Sequence, residues 1–143
     1  MTVATVLIVD DEVGFVEALA RRLARRDVAI MVAYSGEEAL ARLEADGAIE
    51  VVILDVKMPG MDGIETLAEI RRRFPLVEVI MLTGHATVES GIEGMKKGAF
   101  DYLMKPCDIG VLLSKVNEAA AVKHRREERI VEARVREITA RRA

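Results

Sequence analysis

The chain lacks most features of secreted, membrane-spanning or disulfide-bonded proteins. It has a single cysteine, Cys107, which excludes an internal disulfide and suggests a reducing compartment. No apolar run approaches the roughly 20 residues needed to cross a bilayer. The segment Asp10-Asp11-Glu12 follows the first apolar run, which is not the pattern of a signal peptide. We therefore expect a cytoplasmic protein without a membrane partner.

Tryptophan is absent and aromatic residues make up 3% of the chain, so aliphatic side chains must supply the core. The length of 143 residues suits one ordinary domain. The formal net charge is −3, and only the carboxyl-terminal segment is basic. Because that segment shows no helix-turn-helix pattern, we expect no direct nucleic acid binding by this chain.

Short apolar runs alternate with helical patterns of ten or more residues, which predicts repeated βα units and a parallel sheet. The runs lack polar alternation, as expected for strands covered by helices on both faces. We predict five βα units in a three-layer sandwich, with strands at Thr5–Val9, Val28–Val32, Val51–Leu54, Val79–Leu82 and Tyr102–Met104.

Capping signals and apolar stripes place the helices between these strands. Ser35 with Glu38, and Asp62 with Glu65, have the spacing of a capping box. Gly47 and Gly98 stand where helices should end in a left-handed residue. The first three helices take their buried stripes from Phe15, Leu19 and Leu23, from Ala39, Leu40 and Leu43, and from Ile64, Leu67, Ile70 and Phe74.

The fourth helix, near Ala86 to Lys97, contains two interior glycines, Gly91 and Gly94. Each costs roughly 1 kcal/mol relative to alanine in a helix. Two interpretations remain open: the glycines allow close packing, or they keep the helix marginal because it must shift.

Polar groups follow four of the predicted strands: Asp10 with Asp11, Asp55, Thr83 and Lys105. In an open parallel sheet, ligands bind at the edge formed by the carboxyl ends of the strands. Three carboxylates meeting there would repel by about 4 kcal/mol per pair at ~4 Å and an effective dielectric near 20. A cation must neutralise them, and oxygen ligands suit Mg²⁺. This chemistry indicates an aspartate that accepts a phosphoryl group.

The ordered set Asp10-Asp11, Asp55 with Met58-Pro59-Gly60-Met61-Asp62-Gly63, Thr83-Gly84 and Lys105-Pro106 resembles the receiver domain of two-component response regulators. The resemblance extends from about Val3 to Val122. Residues 81–87 and 95–99 are most similar to receivers of the nitrogen-regulation type. The family implies a flavodoxin-like fold with strand order 2-1-3-4-5 and five surrounding helices.

The resemblance also implies a role for each site residue. Asp55 would accept the phosphoryl group from a sensor histidine kinase, a phosphotransfer protein or a small donor. Asp11 and Asp55 would bind Mg²⁺ directly, Asp10 would act mostly through water, and the backbone carbonyl of Lys57 would complete the protein ligands.

The family implies further roles around the phosphate. Lys105 would pair with the acyl phosphate and Thr83 would donate to one of its oxygens. Tyr102 takes the place of the aromatic switch residue, which would carry the change to the α4-β5-α5 surface. A cis bond is expected before Pro106. The positions of Lys57 and His85 tune the phosphate lifetime in this family.

The carboxyl-terminal segment forms the second predicted unit, residues 123–143, after a receiver domain at residues 1–122. Its first part, Lys123 to Arg129, has no apolar side chain, so we expect it to be solvated, His124 included. An apolar stripe then returns. The segment is either a frayed helical linker or a dimerising helix, and the stripe consists of Ile130, Val131, Val135 and Ile138.

Two other functions compete with a phosphorylation switch. A receiver-like scaffold that works without phosphorylation usually lacks an acid, the threonine or the lysine, and all are present here. A phosphatase of the haloacid-dehalogenase type would carry Asp-x-Asp after its first strand, whereas these acids are adjacent. We therefore expect a switch that promotes its own phosphorylation and dephosphorylation, and not an enzyme that turns over a separate substrate. The sequence leaves open a lone receiver or part of a longer regulator.

Overall fold

The computed structural model describes residues 4–142, with alternating strands and helices over that range. The strands are β1 Ala4–Val9, β2 Val28–Ala33, β3 Val51–Leu54, β4 Glu78–Thr83 and β5 Asp101–Met104. The helices are α1 Val13–Ala24, α2 Gly36–Ala45, α3 Gly63–Arg73, α4 Val88–Lys96 and α5 Ile109–Arg142. Every predicted strand is present, and each predicted strand end lies within one residue of the observed one.

The five strands form one parallel sheet in the order β2-β1-β3-β4-β5. Two apolar clusters cover its faces: α2 and α3 pack on one face, and α1 and α5 pack on the other. All residues of β3 and β4 are buried, which explains their unbroken apolar runs. The three-layer sandwich and the strand order are confirmed. Among the described residues, no helix is both long and apolar enough to cross a membrane.

The predicted caps are found with two exceptions. The Asp62 side chain accepts from the Glu65 backbone at 2.9 Å and Glu65 accepts from the Asp62 backbone, which completes a capping box. Ser35 likewise caps α2, but the Glu38 carboxylate accepts from Tyr34 N–H instead of Ser35.

Of the two predicted glycine caps, one is confirmed and one is wrong. Gly98 has φ +99°, as predicted. The prediction for Gly47 is wrong, because α2 ends at Ala45 with Asp46 in extended backbone, and the positive-φ glycines of the described chain are Gly60 and Gly98. The Asp46 carboxylate accepts a hydrogen bond from Ala48 N–H at 2.9 Å in this turn.

The stripe of α1 differs from the prediction by one position. Val16, Leu19 and Leu23 are the buried residues of this helix, whereas Phe15 is half-buried at the border of the core. The apolar positions 15, 16, 19 and 23 are compatible with two neighbouring faces, and the face that contains Val16 is the one buried in the cluster between the sheet and α5.

The polar start of the carboxyl-terminal extension contacts the rest of the protein. The Arg126 guanidinium donates to the buried Glu78 carboxylate at 2.8 Å, and His124 Nε2 lies against Glu50 Oε2. The stretch is largely exposed, as expected, with the His124 side chain 55% exposed, but the expectation missed these two contacts with acids of the sheet. One buried acid, Glu78, and one half-buried acid, Glu50, at the amino-terminal edge of the sheet attract these basic side chains, and sequence periodicity does not report such partners. The apolar side chains further along α5 are exposed: Ile130, Val131, Val135 and Ile138.

The two glycines of α4 face the ring of Tyr102. A Cβ added at Gly91 would lie 3.9 Å from the ring, and one at Gly94 would lie 3.5 Å from it. Both are ordinary van der Waals distances, so space alone does not require glycine at either position.

Candidate functional site

The site lies at the carboxyl-terminal edge of the sheet, where β1 and β3 deliver their acids side by side. Val9 pairs with Leu54 in the register of these strands, so the residues that follow them are neighbours. The backbone N–H of Asp55 donates to Val9 at 3.0 Å, and that of Asp10 donates to Ala33 at 3.2 Å. The sequence prediction that parallel strands bring these acids together is confirmed.

Three carboxylates form the centre of the site. One oxygen from each of Asp10, Asp11 and Asp55 lies within 4.8 Å of the others. Asp10 and Asp55 are 1% and 2% exposed, whereas Asp11 is open to solvent. Oδ1 of Asp55 is buried without a hydrogen-bond partner among the described residues. A buried oxygen without a donor is costly unless a ligand satisfies it.

Lys105 brings a positive charge to this edge from the end of β5. Its Nζ donates to Asp10 Oδ2 at 2.6 Å and lies 3.8 Å from Glu12 Oε1. The same ammonium stands 3.9 Å from the centre of the Phe15 ring. The peptide bond between Lys105 and Pro106 is cis, as the family resemblance implied. Sequence reasoning did not identify Glu12 or Phe15 as neighbours of this lysine.

The surroundings of Asp55 shift its protonation. Burial raises the pKa of this carboxyl above its ordinary value, and the charge of Asp10 raises it further. The Thr83 hydroxyl and the Lys105 ammonium act in the opposite direction. Because the upward influences are larger, the pKa of Asp55 lies above its ordinary value.

A groove of about 380 Å³ opens beside the acids and is lined in part by Asp11, Lys57 and His85. Lys57 and His85 are both exposed, so the prediction that they stand at the rim of the site is confirmed in position. Thr83 is fully buried, and its Oγ1 accepts from the His85 N–H at 3.0 Å. Their functional roles remain predictions.

The loop after Asp55 requires a glycine at position 63. A Cβ at Gly63 would lie 2.0 Å from the Asp55 carbonyl oxygen, a distance that no side chain tolerates. The Gly63 N–H also donates to Val56 at 2.7 Å, which draws α3 against the end of β3. Two residues before Gly63, the Glu37 carboxylate accepts from Met61 N–H at 3.1 Å. The loop that carries Lys57 is therefore closed by the bond between Gly63 and Val56 and is held to α2 through Met61.

Tyr102, the predicted switch residue, is half-buried between α4 and the sheet. Its hydroxyl lies 2.6 Å from Ser90 Oγ, and Ser90 also completes the capping box of α4 with Thr87. The tyrosine is thus joined to the beginning of α4. Sequence reasoning missed Ser90, because a serine inside a helix carries no signal for a partner 12 residues away.

These residues fit a divalent cation of the Mg²⁺ type. The donors are all oxygens, the three carboxylates converge, and Oδ1 of Asp55 has an unfilled hydrogen-bonding capacity. One ammonium, that of Lys105, contacts this cluster among the residues the structure describes. A dication would bring the charge close to balance.

Comparison with known proteins agrees with this geometry. The family model of the response regulator receiver domain matches residues 6–117. The transcriptional regulatory protein ZraR of Salmonella typhimurium is 38% identical over 122 residues, which cover 85% of this chain and 27% of ZraR. The DNA-binding transcriptional regulator NtrC of the same organism is 37% identical over 114 residues, which cover 80% of this chain and 24% of NtrC. The chain thus spans about a quarter of the length of these curated relatives.

Solved structures agree as well. A response regulator receiver domain protein from Clostridium thermocellum superposes with a TM-score of 0.81 at 35% identity, covering 85% of this chain and 97% of that one. NtrX from Brucella abortus superposes with a TM-score of 0.81 at 29% identity, covering 90% of this chain and 29% of NtrX. Fold, site and relatives agree, and the chain belongs to the response regulator receiver domains of two-component systems, with the nitrogen-regulation type among its similar relatives.

Proposed function

We propose that Asp55 accepts a phosphoryl group from a sensor histidine kinase or a phosphotransfer protein. One carboxylate oxygen of Asp55 attacks the phosphorus atom, the bond from phosphorus to the donor imidazole breaks, and the imidazole leaves. The single observation that supports this best is the buried, unpartnered Oδ1 of Asp55 inside a cluster of three acids. Hydrolysis of the acyl phosphate returns the protein to rest, so it is a phosphoacceptor and not an enzyme with a separate substrate.

Mg²⁺ is the proposed cofactor. Asp11 and Asp55 would hold it directly, Asp10 would act mostly through water, and the carbonyl of Lys57 would add a ligand. When bound, the ion neutralises the acids and the charge of the transferring phosphoryl group. Asp10 then has a second task in this proposal, because it holds the Lys105 ammonium at the site before the phosphoryl group arrives.

Lys105 and Thr83 would bind the phosphoryl oxygens. Phosphorylation adds about −1.5 to −2 charges and three acceptor oxygens. Thr83 is buried close to Asp55, and its hydroxyl would turn to one of those oxygens. Tyr102 would respond by moving away from Ser90 and inward, which alters the α4-β5-α5 surface. This is a ligand that biases a two-state equilibrium.

The proposed setting is a cytoplasmic regulator that controls transcription. The printed names of ZraR and NtrC describe transcriptional regulators, of which this chain matches about a quarter. We assign residues 1–122 to the receiver and residues 123–143 to a helical extension, through whose apolar stripe a homodimer would form. This chain itself would bind neither nucleic acid nor membrane.

The test is to incubate the protein with Mg²⁺ and acetyl phosphate and to follow its mass. We expect one phosphoryl adduct in the wild type and none in Asp55→Asn, whose amide cannot form the acyl phosphate. Beryllofluoride with Mg²⁺ should bind the wild type and fail on the variant. If the wild type neither gains mass nor binds beryllofluoride, the chain is a phosphorylation-independent scaffold.

Lys57 and His85 are proposed to set the lifetime of the acyl phosphate. Both stand at the rim of the groove, and neither offers a carboxylate or amide to position water. Lys57 would screen the phosphate. We expect Lys57→Asn to shorten the lifetime several-fold, measured by loss of the adduct after the donor is removed; an unchanged rate would contradict this role.

A further inference from the structure

We propose that Phe15 is a positioning residue for Lys105, acting through the face of its aromatic ring. The observation is the 3.9 Å distance between the ammonium nitrogen and the ring centre. The inference rests on the proposed function, in which Lys105 pairs with the phosphoryl group. It assigns the task of aiming that lysine to a residue in the first turn of α1.

The ring supplies something that an aliphatic side chain cannot. An aromatic face carries partial negative charge and attracts an ammonium within about 6 Å. Here the ammonium has acidic partners as well, at 2.6 Å on Asp10 and 3.8 Å on Glu12. A lysine side chain has a flexible four-carbon stem and loses much rotamer freedom when it is held in one place. The ring and the acids together restrict it to one region of the site.

Phe15 stands at the border of the core, where it packs against the buried cluster and also places its ring over the Lys105 ammonium. The buried face of α1 is formed by Val16, Leu19 and Leu23, and Phe15 is half-buried beside it. Its ring helps to line a small hollow of about 130 Å³ whose other walls include Lys105 and Pro106. Phe15 therefore contacts the segment that carries the lysine, at the border of the core.

The first measurement needs neither metal nor phosphate. Protons above an aromatic face are shifted upfield, so the ε-methylene protons of Lys105 should resonate upfield in NMR spectra of the resting wild type. The shift should persist in Phe15→Tyr and vanish in Phe15→Leu. Ordinary ε-methylene shifts in the wild type would overturn the proposal.

The second measurement is beryllofluoride affinity in the presence of Mg²⁺. We expect Phe15→Leu to bind about fivefold more weakly, the order of one cation–π contact, and Phe15→Tyr to stay within about twofold of the wild type. Val16→Ala is the matched control, because it loosens the same helix without facing Lys105; it should lower thermal stability and leave the affinity unchanged. Equal effects of Phe15→Leu and Phe15→Tyr would overturn the proposal.

The two measurements separate failure of this inference from failure of the proposed function. If the wild type does not bind beryllofluoride, the proposed function is wrong, and the proton shifts of Lys105 still decide whether the ring holds the ammonium. If the wild type binds it and Phe15→Leu binds equally well, the proposed function stands and the positioning role is wrong.

Discussion

The two edges of the sheet both bury acids, but they neutralise them in different ways. At the carboxyl-terminal edge, Asp10 and Asp55 are almost fully buried beside Asp11, and the ammonium of Lys105 is bonded to Asp10. At the amino-terminal edge, Glu78 is buried, and Glu50 lies beside it at the start of β3.

The buried acid of the amino-terminal edge, Glu78, is matched by two cations of the protein itself. Glu78 Oε2 lies 2.8 Å from the Arg126 guanidinium and 3.7 Å from that of Arg71, while Glu50 faces His124. The carboxyl-terminal acids are in excess over their bonded cation. Matched acids are a structural feature that joins α3 and α5 to the sheet, whereas unmatched acids indicate a place for a ligand.

Removing a cation from the amino-terminal edge of the sheet should have the largest effect on stability. In Arg71→Met, Glu78 keeps one cationic partner and the Val77 carbonyl loses its 2.8 Å donor. Leaving a buried acceptor without its donor costs roughly 1–3 kcal/mol, and Glu78 also loses its second, more distant cation. We expect a decrease of that order in the free energy of unfolding, measured by urea denaturation.

Two controls make this result specific. Arg72→Met removes a neighbouring arginine whose side chain is 69% exposed and pairs with Glu69, so its cost should stay below about 0.5 kcal/mol. Adding Glu78→Gln to Arg71→Met should recover part of the loss, because the buried carboxylate charge, which has lost one of its two cations, is then removed. A double variant as unstable as the sum of both single ones would contradict the ion-pair explanation.

Removing a carboxylate from the carboxyl-terminal edge should have the opposite effect and raise the free energy of unfolding. Asp55→Asn removes one of three crowded carboxylates, so we expect the metal-free protein to gain roughly 1–2 kcal/mol at pH 7, the order of the cost of a poorly satisfied buried polar group. Mg²⁺ should stabilise the wild type more than the variant, since ligand binding to the folded state adds stability. A variant that is less stable than the wild type without metal would contradict an acid excess at this edge.

The gain from Asp55→Asn should depend on pH. Burial, followed by the charge of Asp10, raises the pKa of Asp55 in the folded protein above its ordinary value of 3.8. The folded state therefore binds this proton more tightly than the unfolded state, and stability falls as pH rises from about 4 through the folded pKa. Denaturation in EDTA across this range should show the variant's advantage to be absent at low pH and complete above that pKa.

The smallest effect should come from His124, the outermost partner of the matched edge. Its side chain is 55% exposed and forms an ion pair with Glu50 only when His124 is protonated, and exposed pairs of this kind contribute about 0–1 kcal/mol. We expect His124→Gln to lower the free energy of unfolding by less than about 0.5 kcal/mol, with hydrogen exchange of the extension nearly unchanged. If the variant instead releases the extension to fast exchange, His124 holds α5 more strongly than its exposure indicates.

Much of the site was predictable because its polar side chains lie at the carboxyl ends of the strands. Asp10, Asp11, Asp55, Thr83 and Lys105 each stand at or directly after the carboxyl end of a strand, and parallel strands bring such positions together. Local signals were equally reliable where a cap depends on neighbours in the sequence, as in the capping box of α3.

Predictions from the sequence were incomplete where the partner of a side chain lies far away along the chain. Periodicity placed Phe15 in the buried stripe; the side chain does pack against the core but is only half-buried, and its ring also lies over Lys105, 90 positions further along the chain. Ser90 gave no sign of its bond to Tyr102, and the polar stretch at the start of the extension gave no sign of the bond between Arg126 and the buried Glu78.

The sequence by itself therefore determined the alternation of strands and helices, the acids at the strand ends and the family. These depend on local propensities and on a few residues in fixed order. The tertiary structure alone decided which acids are balanced by the protein's own cations and which are in excess of them. The reason is physical: charge balance depends on distances between side chains that are far apart in the chain, and only packing sets those distances.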